Sequence, residues 1–263
     1  MKRKIIMYND LFSIGGITLH GYGLMIGIGI VSAYLTSEYR AKKLGLDPDH
    51  LFPLLIWGAG FGLVSAKLLY YLTILNDIIK DPGLLLSLSG GFVVYGGIIG
   101  GIAAGYVYCR VKKISFFHYL DLVVPSIALA QGFGRIGCLL AGCCYGTQFH
   151  GPLSITFNSS RFAPNGIPLF PSQIVSSAFD FLNFFVLCTL AGKNKNPGRI
   201  SAFYLIFYSI GRFIIEFYRG DLVRGSVGSL STSQFISMFV ALAGFLLFWK
   251  TTKKAEKEPR SLS

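Results

Sequence analysis

Apolar residues in this chain come in long blocks, without the short alternation of a half-buried strand or the stripe of a surface helix. Seven such windows lie near residues 20–36, 51–75, 91–109, 121–143, 170–191, 200–218 and 232–250. Each approaches the roughly 17–25 residues that cross a bilayer as a helix. Runs of this length fit helices better than barrel strands, because lipid offers no partner to an unpaired backbone group. The pattern predicts an all-α membrane protein of seven transmembrane helices, forming a single multi-pass domain over residues 1–263. No internal repeat or linker divides it, and TTKKAEKEPRSLS, residues 251–263, is expected to be a solvated tail.

Basic residues set an orientation on this frame. The segments after the first, third, fifth and seventh windows hold 14 Lys and Arg, against 7 in the alternate segments. Three more, Lys67, Arg135 and Arg212, fall inside windows, and only the Lys2-Arg3-Lys4 head opposes the trend. The expectation is an N-terminus outside and a C-terminus in the cytoplasm. Segments 76–90, 144–169 and 219–231 would then face outward. The longest contains PLSITF, which alternates like a short strand and predicts a small extracytoplasmic β-arm between spans four and five. The opening MKRKIIMYNDLFSIGG has a basic head, but Asn9 and Asp10 interrupt its apolar run. No cleavable signal peptide is expected, and the first window is read as a retained span.

Composition agrees. The chain is 52% hydrophobic and 14% charged, whereas soluble domains carry about 25% charged residues. The net charge of +12 would raise nucleic acid as a partner in a soluble chain. Spread over the loops of a membrane protein it does not, and no nucleic-acid partner is expected. Gly23 and Gly27, then Gly97, Gly101 and Gly105, then Gly142 and Gly146 are spaced four apart. Small residues at that spacing let membrane helices approach closely.

One stretch concentrates the candidate chemistry: QGFGRIGCLLAGCCYG, residues 131–146. Gly132 to Gly137 spell a G-x-G-x-x-G. A dinucleotide turn needs a preceding strand and a βαβ unit, and here Pro125 and an apolar span precede it, so that reading is set aside. Arg135 is a fixed charge within a span, at a cost of roughly 2.5–3.5 kcal/mol on insertion scales. It either snorkels to the surface or faces a polar cavity. A second group, itself readable as a self-contained salt bridge, weighs toward the cavity. In YSIGRFIIEFYRGD, residues 208–221, Arg212, Glu216 and Arg219 are spaced four and three apart and share a helix face. Two arginines against one glutamate leave a surplus positive charge, and Arg135 adds to it. The natural anion in a bilayer is a lipid phosphate, which the planar arginine fork binds with two charge-assisted hydrogen bonds. The residues alone therefore indicate a phospholipid-binding membrane protein, either an enzyme or a lipid transporter.

Five cysteines, Cys109, Cys138, Cys143, Cys144 and Cys188, lie in or beside apolar windows and form no secreted disulfide framework. Cys138, Cys143 and Cys144 fit small polarizable packing residues, a reversible disulfide, a participating thiol or metal ligands. No histidine completes a familiar zinc spacing, so no metal and no soluble cofactor is expected.

These residues also carry a family resemblance. LHGYGLMIG, SGGFVVYGGIIGG, GRIGCLLAGCCYG, FPSQ, GRFIIEFYRGD and LSTSQFISM, in this order from about residue 20 to 240, resemble the motifs of bacterial prolipoprotein diacylglyceryl transferases. The resemblance implies a multi-pass protein of the bacterial plasma membrane. It would transfer a diacylglyceryl group from phosphatidylglycerol to the lipobox cysteine thiol of preprolipoprotein signal peptides, releasing glycerol phosphate. The alternatives are a related transferase with another acceptor and a non-catalytic phospholipid transporter. By resemblance, Arg135 and Arg212 would hold the phosphoglycerol headgroup as it leaves, and Glu216 would orient Arg212 and Arg219. Tyr22 would line the lipid cavity, while Gly137 and Gly146 would allow close backbone approach. Three positions depart from the pattern: Tyr95 stands where the family has a histidine, Cys138 where it has asparagine, and Cys143 where many members have glutamate. Tyr95 would then donate a hydrogen bond or relay a proton, and Cys138 and Cys143 would join the substrate-binding residues.

Overall fold

The computed structural model describes residues 3–5, 10–14, 17–86, 91–194, 196–221 and 225–257. Residues 258–263 of the predicted tail lie outside these. The chain is mostly helical: α1 (Gly21–Leu44), α2 (Leu51–Thr73), α3 (Leu75–Lys80), α4 (Val94–Val111), α5 (Phe116–Ala141), α6 (Ser172–Lys193), α7 (Arg199–Glu216) and α8 (Thr232–Lys257). Among the described residues seven short strands accompany them: β1 (Arg3–Ile5), β2 (Asp10–Ile14), β3 (Ile17–His20), β4 (Ile155–Phe157), β5 (Pro168–Leu169), β6 (Ser226–Val227) and β7 (Leu230–Ser231).

Among the described residues, five helical segments are long and apolar enough to cross a bilayer: Pro48–Thr73, Val94–Val111, Phe116–Ala141, Ser172–Lys193 and Thr232–Lys253. The other two apolar windows are also helical. Glycine, tyrosine, serine and threonine dilute α1, and Arg199, Arg212 and Glu216 put three charges into α7. Their helices extend beyond or stop short of the windows. Arg40, Lys42 and Lys43, read from the sequence as loop, belong to the last turns of α1. Cations there face the negative end of the helix dipole. Large apolar side chains remain exposed on these helices, among them Leu63, Ile99, Val111, Leu242 and Trp249. So much uncovered apolar surface suits lipid rather than water.

The chain divides into two compact units, residues 1–37 with 120–263 and residues 38–119. In the second, α2 and α4 pack along a glycine seam. A Cβ on Gly97 would stand 3.4 Å from the Gly62 carbonyl oxygen, and one on Gly101 3.3 Å from that of Gly58. The tightest approach is one residue earlier, where a Cβ on Gly96 or Gly100 would collide with Ser65. At the other end of this unit His50 Nδ1 lies 3.0 Å from the Tyr108 hydroxyl, and the Tyr119 hydroxyl donates to the Asp47 carbonyl at 2.9 Å.

In the first unit, Val124 and Ala128 of α5, Leu187 of α6 and Ile200 of α7 form one buried cluster. The start of α7 is fixed by α5. Asp121 accepts from the Gly198 N–H at 2.7 Å, the Ser201 N–H at 2.8 Å and the Ser201 hydroxyl at 2.5 Å. A carboxylate there satisfies orphan donors and meets the positive end of the helix. The segment between α5 and α6 carries β4, which pairs parallel with β1 and antiparallel with β5. Ile155, Phe157, Ala163 and Leu169 are buried in it, with Leu139 of α5 packed against them. The β6–β7 hairpin leads into α8, whose N-terminus is a reciprocal cap. Ser231 Oγ accepts from the Gln234 N–H and Gln234 Oε1 accepts from the Ser231 N–H, each at 3.1 Å.

Candidate active site

The first unit gathers three arginines and their acidic partners from α5, α6, α7 and the turn after α7. Arg212 and Glu216, one helical turn apart on α7, form an ion pair of 2.8 Å with about a tenth or less of each side chain exposed. The geometry predicted from their spacing is therefore realised, and α8 completes it. Arg212 Nη2 donates to Ser233 Oγ at 2.7 Å, and Ser231 Oγ donates to Glu216 Oε1 at 3.0 Å. Arg212 Nη1 is buried and has no hydrogen-bond partner among the described residues. A buried guanidinium N–H without an acceptor costs about 1–3 kcal/mol or more, so this donor stands out among the described residues.

Arg219 is engaged differently. Its Nε and Nη2 donate to the two oxygens of Asp221 at 2.8 and 2.6 Å, while Glu216 stands 4.0 Å away. Its positive charge also acts on the Cys144 sulfur. Arg135, on α5, approaches Asp180 of α6 at 4.0 Å and is about a quarter exposed. Arg212 lies within electrostatic range of both Arg135 and Arg219. Arg135 opens on a cavity of about 250 Å³ between α5 and α6, lined also by Leu139, Gln173, Ile174, Ser177 and Phe181. One cationic group thus stands on an otherwise largely apolar wall.

Glycine makes this arrangement possible at two points. A Cβ on Gly137 would press on Tyr22 and Met25 at 3.2 Å, so α1 lies against α5 with Tyr22 at the site. A Cβ on Gly146 would run into the Phe170 carbonyl oxygen, and it would stand 2.9 Å from that of Tyr218. There the segment after α5 zips against the segment after α7. The Thr147 N–H donates to the Tyr218 carbonyl at 2.9 Å and the Gly220 N–H to the Tyr145 carbonyl at 3.0 Å. This pairing carries Arg219 to the cysteines.

Cys138 sits near the end of α5, and Cys143 and Cys144 follow in the turn. Their sulfurs all lie within 4.8 Å of one another. Tyr22 is within electrostatic range of all three and of Arg135. The neighbouring Cys138 and Cys143 sulfurs lower the Cys144 thiol below its ordinary range, and the Arg219 charge adds to this. Cys109 and Cys188 stand elsewhere, on α4 and α6. Tyr95, half-exposed on α4, belongs to the second compact unit, whereas the arginine cluster is built within the first.

Several residues of the site escaped the sequence reading. Asp180 carried a signal, an acid inside an apolar window. Gln173 and Ser172 lie in the quoted FPSQ block, and Ser231 and Ser233 in LSTSQ. As neutral polar residues they announce no charge, and their partners are distant in sequence.

Fold and site together define a helical membrane protein with an arginine cluster among its helices. Comparison with known proteins gives this class a family. Residues 9–250 match the model for prolipoprotein diacylglyceryl transferase. The phosphatidylglycerol–prolipoprotein diacylglyceryl transferase of Clostridium tetani is 48% identical over 238 residues, 90% of this chain and 95% of the relative. Transferase 2 of Clostridium perfringens is 46% identical over 255 residues, 96% and 98% of the two chains, and the Finegoldia magna enzyme is 32% identical over 248. The chain belongs to the prolipoprotein diacylglyceryl transferase family.

Proposed function

We propose that this protein transfers the diacylglyceryl group of phosphatidylglycerol to the lipobox cysteine of a preprolipoprotein signal peptide. The protein would sit in the bacterial plasma membrane with all seven long helices crossing it, the N-terminus outside and the C-terminus in the cytoplasm. The observation that carries the reading is Arg212 Nη1, buried beside the Glu216 ion pair and without a hydrogen-bond partner among the described residues.

The reaction is a substitution at carbon. The acceptor sulfur, as thiolate, forms a bond to the glycerol carbon that bears phosphate. The carbon–oxygen bond breaks, its electron pair goes to the phosphate oxygen, and glycerol phosphate leaves. Negative charge grows on that phosphate in the transition state. Donors fixed in a water-poor site stabilise such charge without reorganising. Arg212 supplies one through Nη1, because Glu216 and Ser233 hold its other face and prevent it from swinging away. Arg135, bound only loosely by Asp180, supplies a second at the mouth of the cavity. Glu216 acts through Arg212 and is a positioning residue. Tyr22 closes the α1 side.

The test is direct. Purified protein in phosphatidylglycerol vesicles with a lipobox peptide yields a peptide heavier by one diacylglyceryl group, attached as a thioether and seen by mass spectrometry. A folded preparation that only moves lipid between leaflets and leaves the peptide unmodified refutes the reading.

A further inference from the structure

Three thiols at one point are more than packing requires. The backbone that presents them is held firmly. The Cys143 N–H donates to the Cys138 carbonyl at 3.1 Å. Buried Gln173 donates to the Cys143 carbonyl and Ser172 to the Cys144 carbonyl, each at 2.8 Å. Cys144 has φ of 59°, a left-handed conformation that a residue with a Cβ seldom adopts. Strain of this kind persists where the surroundings over-determine it, and it gathers at functional sites. Its effect is to bring a second sulfur from adjacent residues onto the side already occupied by Cys138.

We propose that Cys138, Cys143 and Cys144 are three ligands of a zinc ion whose fourth position is filled by the acceptor cysteine of the substrate. Tetrahedral zinc with bonds of about 2.3 Å would place its sulfurs roughly 3.8 Å apart. The present separations, none above 4.8 Å, reach that by small side-chain rotations. No fourth His, Cys, Asp or Glu joins the cluster among the described residues. Three protein ligands with one open position is the pattern of a catalytic zinc rather than a structural one. Three thiolates and Zn²⁺ leave one negative charge, and the positive charge of Arg219 acts on the Cys144 sulfur in the way outer groups support metal-bound thiolates.

The role of the fourth position rests on the transferase reading; the metal site itself does not. A free thiol has a pKa of about 8.5, and coordination to a cation removes its proton outright. Tyrosine, with a pKa near 10, is a poor base at the position where the resembling family carries histidine. Zinc would take over that activation. The thiol proton passes to water as the sulfur binds the metal. The zinc-held sulfur then forms its bond to the glycerol carbon, the carbon–oxygen pair departs with the phosphate, and zinc stays divalent throughout.

The full-length protein, purified in detergent under reducing conditions and equilibrated with zinc, tests this. Expected are about one zinc per chain and an X-ray absorption spectrum with three sulfurs near 2.3 Å. A lipobox peptide should raise the sulfur count to four, and the same peptide with serine for cysteine should not. Cys138→Ser, Cys143→Ser and Cys144→Ser should each weaken zinc binding at least tenfold. Thermal unfolding of the same samples separates this loss from misfolding, and the wild-type spectrum stands without the variants. Less than a tenth of a zinc per chain, a shell of oxygen and nitrogen alone, or a disulfide among the three under reducing conditions overturns the site. Full transfer by chelator-treated, zinc-free protein removes zinc and leaves the transferase reading intact. Bound zinc with three sulfurs and no lipid adduct retains the site and removes that reading.

Discussion

Arg212→Lys isolates the donor on which the proposed chemistry depends. Lysine keeps the positive charge opposite Glu216, so the pair of 2.8 Å is shortened or tilted but not abolished. What disappears is the planar fork, and with it the second nitrogen that reaches no acceptor among the described residues. A charge-assisted hydrogen bond is worth about 1.5–3 kcal/mol. At 1.36 kcal/mol per decade, losing it from the transition state lowers kcat/KM by roughly 10- to 160-fold. Arg212→Ala should do far more, because it also strands Glu216 in a buried position, a defect of about 3–5 kcal/mol. The assay is initial-rate transfer to a lipobox peptide in phosphatidylglycerol vesicles, with thermal unfolding measured on the same preparations. The reasoning is refuted if Arg212→Lys keeps activity within threefold of wild type. It is refuted equally if activity falls only in proportion to the folded fraction.

Other substitutions follow from the same geometry. Gly146→Ala places a methyl group against the Phe170 and Tyr218 carbonyls and should reduce transfer at least tenfold, whereas Gly134→Ala meets nothing within 4 Å and should leave activity unchanged; both are read in the vesicle assay. Asp121→Ala removes three hydrogen bonds that cap α7. It should lower unfolding stability by about 1–3 kcal/mol without altering the activity of the folded fraction. Gln173→Leu leaves the buried Cys143 carbonyl without its donor, at a similar cost by thermal unfolding. Unlike Asp121→Ala, it should also depress transfer per folded molecule.

Much of this protein is written plainly in its sequence, because a bilayer restricts what an apolar run can become. Every one of the seven windows is helical. The Arg212–Glu216 pair was legible because both partners lie on one helix at a spacing fixed by its geometry. The limits were less legible: the charges of α1 belong to the helix, since solvated ends continue past the apolar window. Contacts between segments far apart in the chain were not legible at all. Nothing in LSTSQ states that Ser233 meets Arg212 twenty-one residues earlier, although Ser231 and Gln234 at N-cap and N3 spacing do announce the start of α8. The cysteines read as three loosely related residues. Only the left-handed turn at Cys144 and its anchors on α6 bring their sulfurs together.

The central claim is that a buried arginine cluster serves transfer of lipid to a protein thiol in the cell. Complementation of a bacterium depleted of its own diacylglyceryl transferase judges it on natural acceptors. The wild-type gene should restore growth and mature, lipid-modified lipoproteins, while Arg135→Ala and Arg212→Ala, inserted in the membrane at equal level, should restore neither. Unmodified lipoproteins accumulating despite wild-type protein, or full maturation supported by either arginine variant, would contradict the account.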